Sequence, residues 1–483
     1  MKRANLLTMA AILSKATAFT NLQTRRHISF IHPISNLNPC KSFFSLSSTS
    51  SPAEKVSSLS STKLTPPSAS EFPSWAYGPR DYFRFEILHE STKSKARVGR
   101  IHTPHGVIDT PSFVAVATNA ALKGVSFAQA DEANQQLIFS NTYHLMLQPG
   151  SKIIKEAGGI HSYTNRGGTD EKRGGPFITD SGGFQVFSLA YGSVAEELSS
   201  KGELKKAKNN NRFKNQNKNL SGKDAVKVTE EGVTFRSYRD GSKILLTPET
   251  TVQAQKDIGA DIIIPLDELP PFHISPQKLA ESVDRSHRWE ARSLKEHLKD
   301  IKNQAMYSVI HGGLDKDQRT KSVEYLTSLP FDGYAIGGSL GSNRDELKDL
   351  LSWLMPLFEK NERVKAKPRH LLGIADEINI RNAVPMGLDT MDSCYPTRIA
   401  RHGSLMTKKG LIHITQGKYK NAYGEPIDED CQCIVCRQHD RAYLHHLYKA
   451  SEPLATMLGT IHNIHFMNDM MKQIRQDILD NKI

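Results

Sequence analysis

Short apolar runs alternate with helix-like stretches from about residue 100 onward. Eight of these runs are typical of strands: Pro111–Ala117, Leu137–Ser140, Pro176–Thr179, Asp261–Leu266, Tyr307–Ile310, Gly333–Ile336, Arg369–Leu372 and Asp389–Met391. Segments with helical spacing lie between most of them: Ala128–Gln136, Thr247–Ile258, Pro276–Asn303, Lys316–Leu329, Arg344–Lys360 and Ile378–Gly387. Strands separated by helices form parallel sheets, and eight such strands favour a closed barrel over an open sheet. We therefore predict an α/β fold, a TIM-like (β/α)8 barrel.

Polar residues or glycines follow most of the predicted strands. They are Asn141, Asp180, Asp267, His311, Gly337-Gly338, Gly373 and Asp392. Barrel enzymes carry their chemistry at the carboxyl ends of the strands, so these residues are expected to converge on one mouth of the barrel. Helix capping accounts for one or two such positions but not for the whole set. The pattern therefore predicts an active site rather than a series of helix caps.

Three of the five cysteines lie close together near the C-terminus. Cys431, Cys433 and Cys436 offer three thiolates within six residues, a spacing that indicates zinc rather than disulfides. The candidates for a fourth ligand are His439, His445, His446, His462 and His465. Nothing near the cluster resembles a general base, which favours a structural zinc ion. A last helix over Asn463–Leu479 follows, with Met467, Met471, Ile474 and Ile478 on one face.

The net charge of +12 is concentrated in two segments. Residues 1–53 contribute six positive charges and no acid, and residues 200–223 contribute a net seven. The rest of the chain is nearly neutral, so affinity for a polyanion has to come from local patches. We interpret residues 1–70 as an organellar transit peptide and disordered leader, directed to a mitochondrion or a plastid. Residues 200–223 predict a disordered basic insertion.

The resulting domain organisation has three parts. Residues 1–70 form the leader, 80–410 the catalytic barrel with its insertion at about 200–223, and 411–483 a zinc-binding subdomain with the C-terminal helix. The longest apolar stretch near the start is far shorter than the roughly 20 residues that span a bilayer, so no transmembrane helix is expected.

Five ordered motifs over residues 82–480 resemble those of the tRNA-guanine transglycosylases, the queuine tRNA-ribosyltransferase family. They are residues 141–150 (NTYHLMLQPG), 179–185 (TDSGGFQ), 332–338 (DGYAIGG), 392–403 (DSCYPTRIARHG), and the cysteine cluster followed by 460–464 (TIHNI). The resemblance implies a covalent exchange in which Asp392 is the nucleophile and Asp180 the general acid and base. It assigns the fourth zinc position to His462.

The resemblance also implies how the substrates are held. The base would be bound by Asp180, Ser181, Gly182, Gly183, Phe184, Asp267, His311, Gly337, Gly338 and Gly341. RNA would be contacted by Gly373, Ile374, Ala375, Asp376, Thr397, Arg398 and Arg401. The expected reaction exchanges guanine at the wobble position (34) of GUN-anticodon tRNAs, those for Asp, Asn, His and Tyr, for queuine. A homodimer is favoured, with a heterodimer as the alternative.

Four positions depart from the family pattern. His311 stands where the family usually has Gln, and Leu269 stands where a Cys is often found near the base. Ser393 follows the nucleophile instead of Cys, with Cys394 displaced by one, and acidic Asp376 replaces a common Lys. These differences concern the fit of the base and the tRNA, because both catalytic carboxylates remain.

Four alternatives compete with this function. The chain could use the aminomethyl-deazaguanine precursor instead of queuine, or serve as a non-catalytic tRNA-binding subunit. A barrel glycosidase acting on sugars would not need the cysteine cluster or Arg398 and Arg401. A zinc-module nucleic-acid binder would not need the two aspartates. Release of guanine from tRNA distinguishes the enzyme from all of the non-exchanging alternatives.

Overall fold

Three small antiparallel sheets flank the central barrel in the computed structural model, which describes residues 64–166, 175–191 and 226–483. The first contains β1 (Arg84–Glu90), β2 (Arg97–Thr103) and β3 (Gly106–Thr110). The second contains β7 (Val226–Val228), β8 (Val233–Arg236) and β9 (Lys243–Leu246), and the third is the hairpin of β15 (Ser404–Thr407) and β16 (Gly410–His413). The sequence pattern predicted none of these sheets, because most of their strands are partly exposed and lack a continuous apolar run.

Eight parallel strands close into the predicted barrel. They are β4 (Ser112–Val116), β5 (Ile138–Ser140), β6 (Phe177–Thr179), β10 (Ile262–Ile263), β11 (Ala305–Ile310), β12 (Gly333–Ile336), β13 (Arg369–Leu371) and β14 (Thr390–Ser393). Their order around the barrel follows the chain, and β14 pairs with β4 to close it. All of these residues except Val116 are buried, as expected for parallel strands covered on both faces. The predicted fold class is confirmed.

Helices connect the barrel strands and cover them. Their bounds are Phe127–Glu132, Thr142–Leu147, Ser151–Glu156, Ile160–Thr164, Gly183–Tyr191, Pro248–Ile258, Pro276–Leu298, Lys316–Ser328, Arg344–Leu354, Glu362–Lys365, Glu377–Ala383 and Tyr395–Arg401. The helix from Pro276 ends earlier than predicted, because Lys302 and Asn303 have φ of 50° and 55°. The helix from Arg344 continues as a 3-10 turn over Met355–Lys360, since Pro356 cannot donate an α-helical hydrogen bond.

The C-terminal part consists of two short helices and one long one. The helices cover Ile434–Gln438, Arg441–Lys449 and Pro453–Leu479. The last is 27 residues long, ten residues longer at its start than predicted, and buries Met467, Met471, Ile474 and Ile478 as the spacing indicated. It packs against β4 and against the helix Tyr395–Arg401 that follows the last barrel strand. The zinc-site region therefore rests directly on the barrel.

Among the described residues, no helix combines the length and apolarity needed to cross a membrane. The predicted insertion at about 200–223 and almost all of the predicted leader lie outside the described residues. The domain boundary at 410/411 stays a prediction.

Candidate active site

Asp392 lies within the last barrel strand, with its carboxylate at the mouth of the barrel. Its Oδ1 atom accepts two hydrogen bonds, from the backbone N of Gly373 at 2.8 Å and from His370 Nε2 at 3.1 Å. Within the described residues no hydrogen bond is formed to Oδ2. The residue is 6% exposed, and its Oδ1 atom is the carboxylate oxygen that these hydrogen bonds hold. This arrangement suits a nucleophile.

Asp180 follows strand β6 on another side of the same mouth. Its Oδ2 accepts a hydrogen bond from Asn141 Nδ2 and its Oδ1 one from the backbone N of Thr142, both at 2.9 Å. Burial raises the pKa of Asp180, these hydrogen bonds oppose the rise, and the negative charge of Asp392 adds to it. The two predicted catalytic carboxylates are therefore close enough for their charges to interact. A raised pKa favours a carboxyl group that exchanges protons.

Asp267 adds a third acid to the mouth. Burial and the nearby charges of Asp180 and Glu268 raise the pKa of Asp267 to about 7. Its protonation state therefore changes near neutral pH. Acids with shifted pKa values in one cleft are typical of active sites, although structural networks can cause such shifts too.

His311 is buried at the end of β11 beside Glu290. Its Nε2 atom lies 3.5 Å from Glu290 Oε1, and neither atom has a hydrogen-bond partner among the described residues. Burial, together with the charge of Arg319, lowers the pKa of His311 to about 3, while burial and the charge of Asp267 raise that of Glu290 well above its ordinary value. His311 is therefore uncharged at neutral pH, and the shift of the Glu290 pKa favours its protonated form. Glu290 was not identified from the sequence because it lies inside a helix whose pattern is typical of a helix that covers the barrel.

Buried Arg319 holds together the loops that follow β11 and β12. Its guanidinium donates hydrogen bonds to the carbonyl oxygens of Ile310, Gly313, Gly337 and Ser339 over 2.6–2.9 Å. Four bonds from one rigid planar group fix the relative positions of the two loops. A cavity of about 100 Å³ opens between them, lined in part by His311, Gly338 and Ser339.

The glycines predicted to contact the base lie where the backbone is crowded. A Cβ atom on Gly337 would be 2.6 Å from Val309 Cγ1, and one on Gly183 would be 3.0 Å from the carbonyl oxygen of Asp267. Gly182 has φ of 84° and Gly338 has φ of 72°. Ser181 is buried, whereas Phe184 is 50% exposed at the rim. Side chains at Gly183 and Gly337 would therefore collide with their neighbours, and the positive φ angles of Gly182 and Gly338 also favour glycine.

Gly341 has a structural reason to be glycine. Its φ is 102°, and a Cβ atom there would be 2.8 Å from Glu346 Cβ. A side chain at this position would therefore strain the loop before meeting any base. The prediction that Gly341 lines the base pocket stays a prediction.

Some of the residues predicted to contact RNA are exposed, whereas others are buried or bonded to neighbouring residues. Arg398 is exposed and Arg401 half-buried, and neither forms an ion pair with a described residue. Gly373 is exposed and Ile374 half-buried, but Ala375 is buried. Asp376 caps the helix Glu377–Ala383 and pairs with Arg344 at 3.3 Å. Thr397 is buried and donates a hydrogen bond to the Cys394 carbonyl oxygen. The two arginines are the residues best placed to meet phosphates.

The cysteine cluster comes together with one histidine in the C-terminal helix. The Sγ atoms of Cys431, Cys433 and Cys436 lie 3.8, 3.4 and 3.4 Å from His462 Nδ1. In a tetrahedral zinc site, bonds of about 2.3 Å to sulfur and 2.0 Å to nitrogen separate these atoms by roughly 3.5 Å. The four donors therefore fit zinc, and His465 does not belong to the group.

His370 is the polar residue near Asp392 that sequence reasoning missed. It is fully buried in β13, where its Nδ1 atom lies 2.9 Å from Thr390 Oγ1. A histidine within an apolar run usually reads as a core residue. The signal that could have identified it is the register, since His370 pairs with Thr390 on the strand that carries Asp392.

Comparison with known proteins gives one consistent result. A family model described as queuine tRNA-ribosyltransferase matches residues 91–211 and 212–483. A queuine tRNA-ribosyltransferase of Protochlamydia amoebophila is 52% identical over 402 residues, covering 83% of this chain and 97% of that protein. One from Chlamydia abortus is 48% identical over 401 residues, covering 83% of this chain and 99% of its own length.

These relatives correct the predicted localisation. They are bacterial enzymes, so the destination in a mitochondrion or plastid, inferred from N-terminal composition, is wrong by this comparison. An acid-free, serine-containing start is a compositional signal that other kinds of N-terminal segment share. The organellar localisation is therefore withdrawn.

Proposed function

Because this chain belongs to the queuine tRNA-ribosyltransferase family of pentosyltransferases, we propose that it exchanges guanine at the wobble position (34) of GUN-anticodon tRNAs for queuine. The observation that carries this proposal is the pair of carboxylates at one mouth, Asp392 with one oxygen held and Asp180 with a raised pKa. The tRNAs for Asp, Asn, His and Tyr are the substrates that such anticodons define.

The reaction consists of two displacements at the same ribose carbon. Asp392 Oδ2 forms a bond to C1′ as the bond from C1′ to the guanine nitrogen breaks, and the electron pair of that bond leaves with the base. The product is an ester between the tRNA ribose and the enzyme. The nitrogen of the incoming base then attacks C1′, and the ester bond breaks to restore the Asp392 carboxylate.

Asp180 supplies and removes the proton. In its acid form it protonates guanine as guanine departs, and the resulting carboxylate takes the proton of the incoming base. A raised pKa supports this role because the acid form is populated closer to neutral pH. Asn141 and Thr142 orient the carboxyl group during both transfers.

The base is held between Phe184 and the glycine loops. Asp267 and the loop of Gly337 and Gly338 are placed to bind the purine edge, and Ser181, Gly182 and Gly183 form the neighbouring wall. Neutral His311 offers a hydrogen bond without adding charge. The target nucleotide has to leave the anticodon stack to reach this depth.

The tRNA backbone is proposed to contact the strand end and helix next to Asp392. Gly373, Ile374, Ala375 and Asp376 border the mouth on one side, and Arg398 and Arg401 extend from the helix that follows Asp392. Unpaired arginines suit phosphates because their planar donors bind two oxygens at once. A homodimer remains our preferred assembly, with a heterodimer as the alternative.

Zinc is proposed to be structural and bound by Cys431, Cys433, Cys436 and His462. Four protein ligands leave no open coordination position, so the ion would supply folding energy rather than chemistry. The neighbouring Asn463 donates hydrogen bonds to the carbonyl oxygens of Pro396 and Ser404. The metal site would thereby support the helix that carries Arg398 and Arg401.

The experiment that tests this function measures release of labelled guanine from tRNA on addition of a 7-deazaguanine base. We expect release with tRNAs that carry guanine at position 34, and faster release with queuine than with the aminomethyl precursor. Equal rates would contradict the preference for queuine, and a faster rate with the precursor would favour the precursor as the substrate. Binding of tRNA without any release would favour a non-catalytic subunit instead.

A further inference from the structure

His370 and Gly373 donate to the same oxygen of Asp392. The two donors lie 3.1 Å and 2.8 Å from Oδ1, whereas no described residue donates to Oδ2. A carboxylate held through one oxygen cannot rotate freely about its Cβ–Cγ bond. Its second oxygen is then presented in one direction, which is the requirement for in-line attack on a ribose carbon.

The His370 ring is itself held from both sides. Thr390 Oγ1 lies 2.9 Å from its Nδ1 atom, and the Phe139 ring lies roughly parallel to it at 6.3 Å. If the Thr390 hydroxyl donates to Nδ1, the ring proton lies on Nε2 and is donated to Asp392. The two hydrogen bonds together then fix a single orientation and tautomer of the ring.

We propose that His370 is a positioning residue for the nucleophile, a role that rests on the proposed function of Asp392. It holds Oδ1 so that Oδ2 attacks, and it continues to donate to Oδ1 when that atom becomes the carbonyl oxygen of the ester. Both donors therefore stay paired in the free enzyme and in the covalent intermediate. The arrangement lowers the cost of orienting Asp392 in each of the two displacements.

Two substitutions separate positioning from packing. In His370→Gln the side-chain amide nitrogen reaches the place of Nε2, so the bond to Asp392 is kept. In His370→Asn the amide reaches the place of Nδ1, so the bond to Asp392 is lost while a polar group remains. The rate of covalent adduct formation in a single turnover, with tRNA dissociation constants measured in parallel, compares the two.

We expect the Asn variant to form the adduct up to about 100-fold more slowly than wild type, because misplacement of a reacting group by about 1 Å can cost a factor of that order. The Gln variant should stay within a few-fold of wild type, and tRNA binding should change in neither. Equal rates in all three proteins, or equal losses in both variants, would overturn the role of His370. Absence of the adduct in wild type would instead contradict the proposed function.

A third variant keeps the test decisive if His370→Asn does not fold. Thr390→Val preserves the shape beside the ring and removes the hydroxyl that fixes the tautomer. We expect adduct formation roughly tenfold slower, together with a lower unfolding temperature, because the buried Nδ1 atom loses its hydrogen-bond partner. An unchanged rate would overturn the positioning role.

Discussion

The Nε2 atom of His462 lies 2.7 Å from the carbonyl oxygen of Met406. A carbonyl oxygen can only accept a hydrogen bond, so Nε2 carries the ring proton. Nδ1 is then unprotonated, and its lone pair is available to a metal ion held by the three thiolates. Histidines that bind metals are commonly oriented by such a bond from their second nitrogen. The tautomer that zinc requires is therefore set by the hairpin β15–β16 before any metal is bound.

We predict one zinc ion per chain, held by this histidine. His462→Ala should lose most of the metal and lower the unfolding temperature, because zinc binding and folding are coupled. His465→Ala serves as the matched control, since it lies one turn along the same helix and outside the cluster. Metal content by mass spectrometry and thermal unfolding would check both. Loss of zinc in the His465 variant, with zinc retained in the His462 variant, would reverse the assignment.

The environment of Asp261 leads us to predict that acid destabilises the fold. It is fully buried at the start of β10 and accepts hydrogen bonds from His105 Nδ1 at 2.8 Å and His161 Nε2 at 3.0 Å. Burial alone would raise its pKa, but these bonds outweigh that effect and hold the pKa below its ordinary value. Burial lowers the pKa of His161. Both groups therefore bind protons more readily in the unfolded chain than in the folded one.

Stability should consequently fall as the pH falls. The contribution of His161 declines below about pH 6.5 and that of Asp261 below about pH 4, the ordinary values that apply to the unfolded state. Asp261→Asn should lower the free energy of unfolding by about 1.5–3 kcal/mol, the usual contribution of hydrogen bonds to a charged group. It should also flatten the acid limb of a plot of stability against pH in urea titrations. A variant as acid-sensitive as wild type would contradict this explanation.

Asp267 predicts the pH dependence of base use. Its pKa is raised to about 7, so Asp267 is only partly ionised below neutral pH. The ionised form is the one that we propose accepts hydrogen bonds from the purine edge. The value of kcat/KM for the incoming base should rise with pH and level off above about 7. Asp267→Asn, which cannot titrate, should have lower activity and lack this rise. The same pH dependence in the variant would assign the titration to another group.

Gly341 shows how the structure changes a test of base selectivity. A larger side chain at this position would narrow the proposed base pocket, but the φ of 102° at Gly341 and its close approach to Glu346 make any substitution a test of the loop as well. Competition between queuine and the aminomethyl precursor in wild-type protein avoids this difficulty. We expect queuine to be incorporated preferentially. Preferential incorporation of the precursor would contradict the choice of queuine.

The sequence predicted all eight barrel strands because parallel strands are apolar throughout and bounded by polar residues. It also identified the cysteine cluster, since three thiols in six residues have few other uses. The fourth ligand required the resemblance, as five histidines satisfied the spacing argument equally well. The structure separates them by geometry, because His462 belongs to the cluster whereas His445 Nδ1 donates a hydrogen bond to the Ile414 carbonyl oxygen.

Contacts between distant segments could not be predicted from local pattern. His370 lies in a segment typical of a core strand, and Glu290 lies in one typical of a helix that covers the barrel. The contacts of His370 with Asp392 and of Glu290 with His311 form only when the barrel has folded. The same applies to Arg319, which reads as a surface residue of a helix but is fully buried beneath two loops. Buried polar groups of this kind depend on partners far away in the chain.

The covalent intermediate is the central claim, and one gel tests it directly. Wild-type protein incubated with tRNA should give an adduct that survives denaturing electrophoresis, and Asp392→Ala should give none while losing at least about a thousandfold in exchange rate. Asp180→Ala should still bind tRNA but exchange poorly, which separates the acid from the nucleophile. An adduct of unchanged yield in the Asp392→Ala variant would show that another residue is the nucleophile.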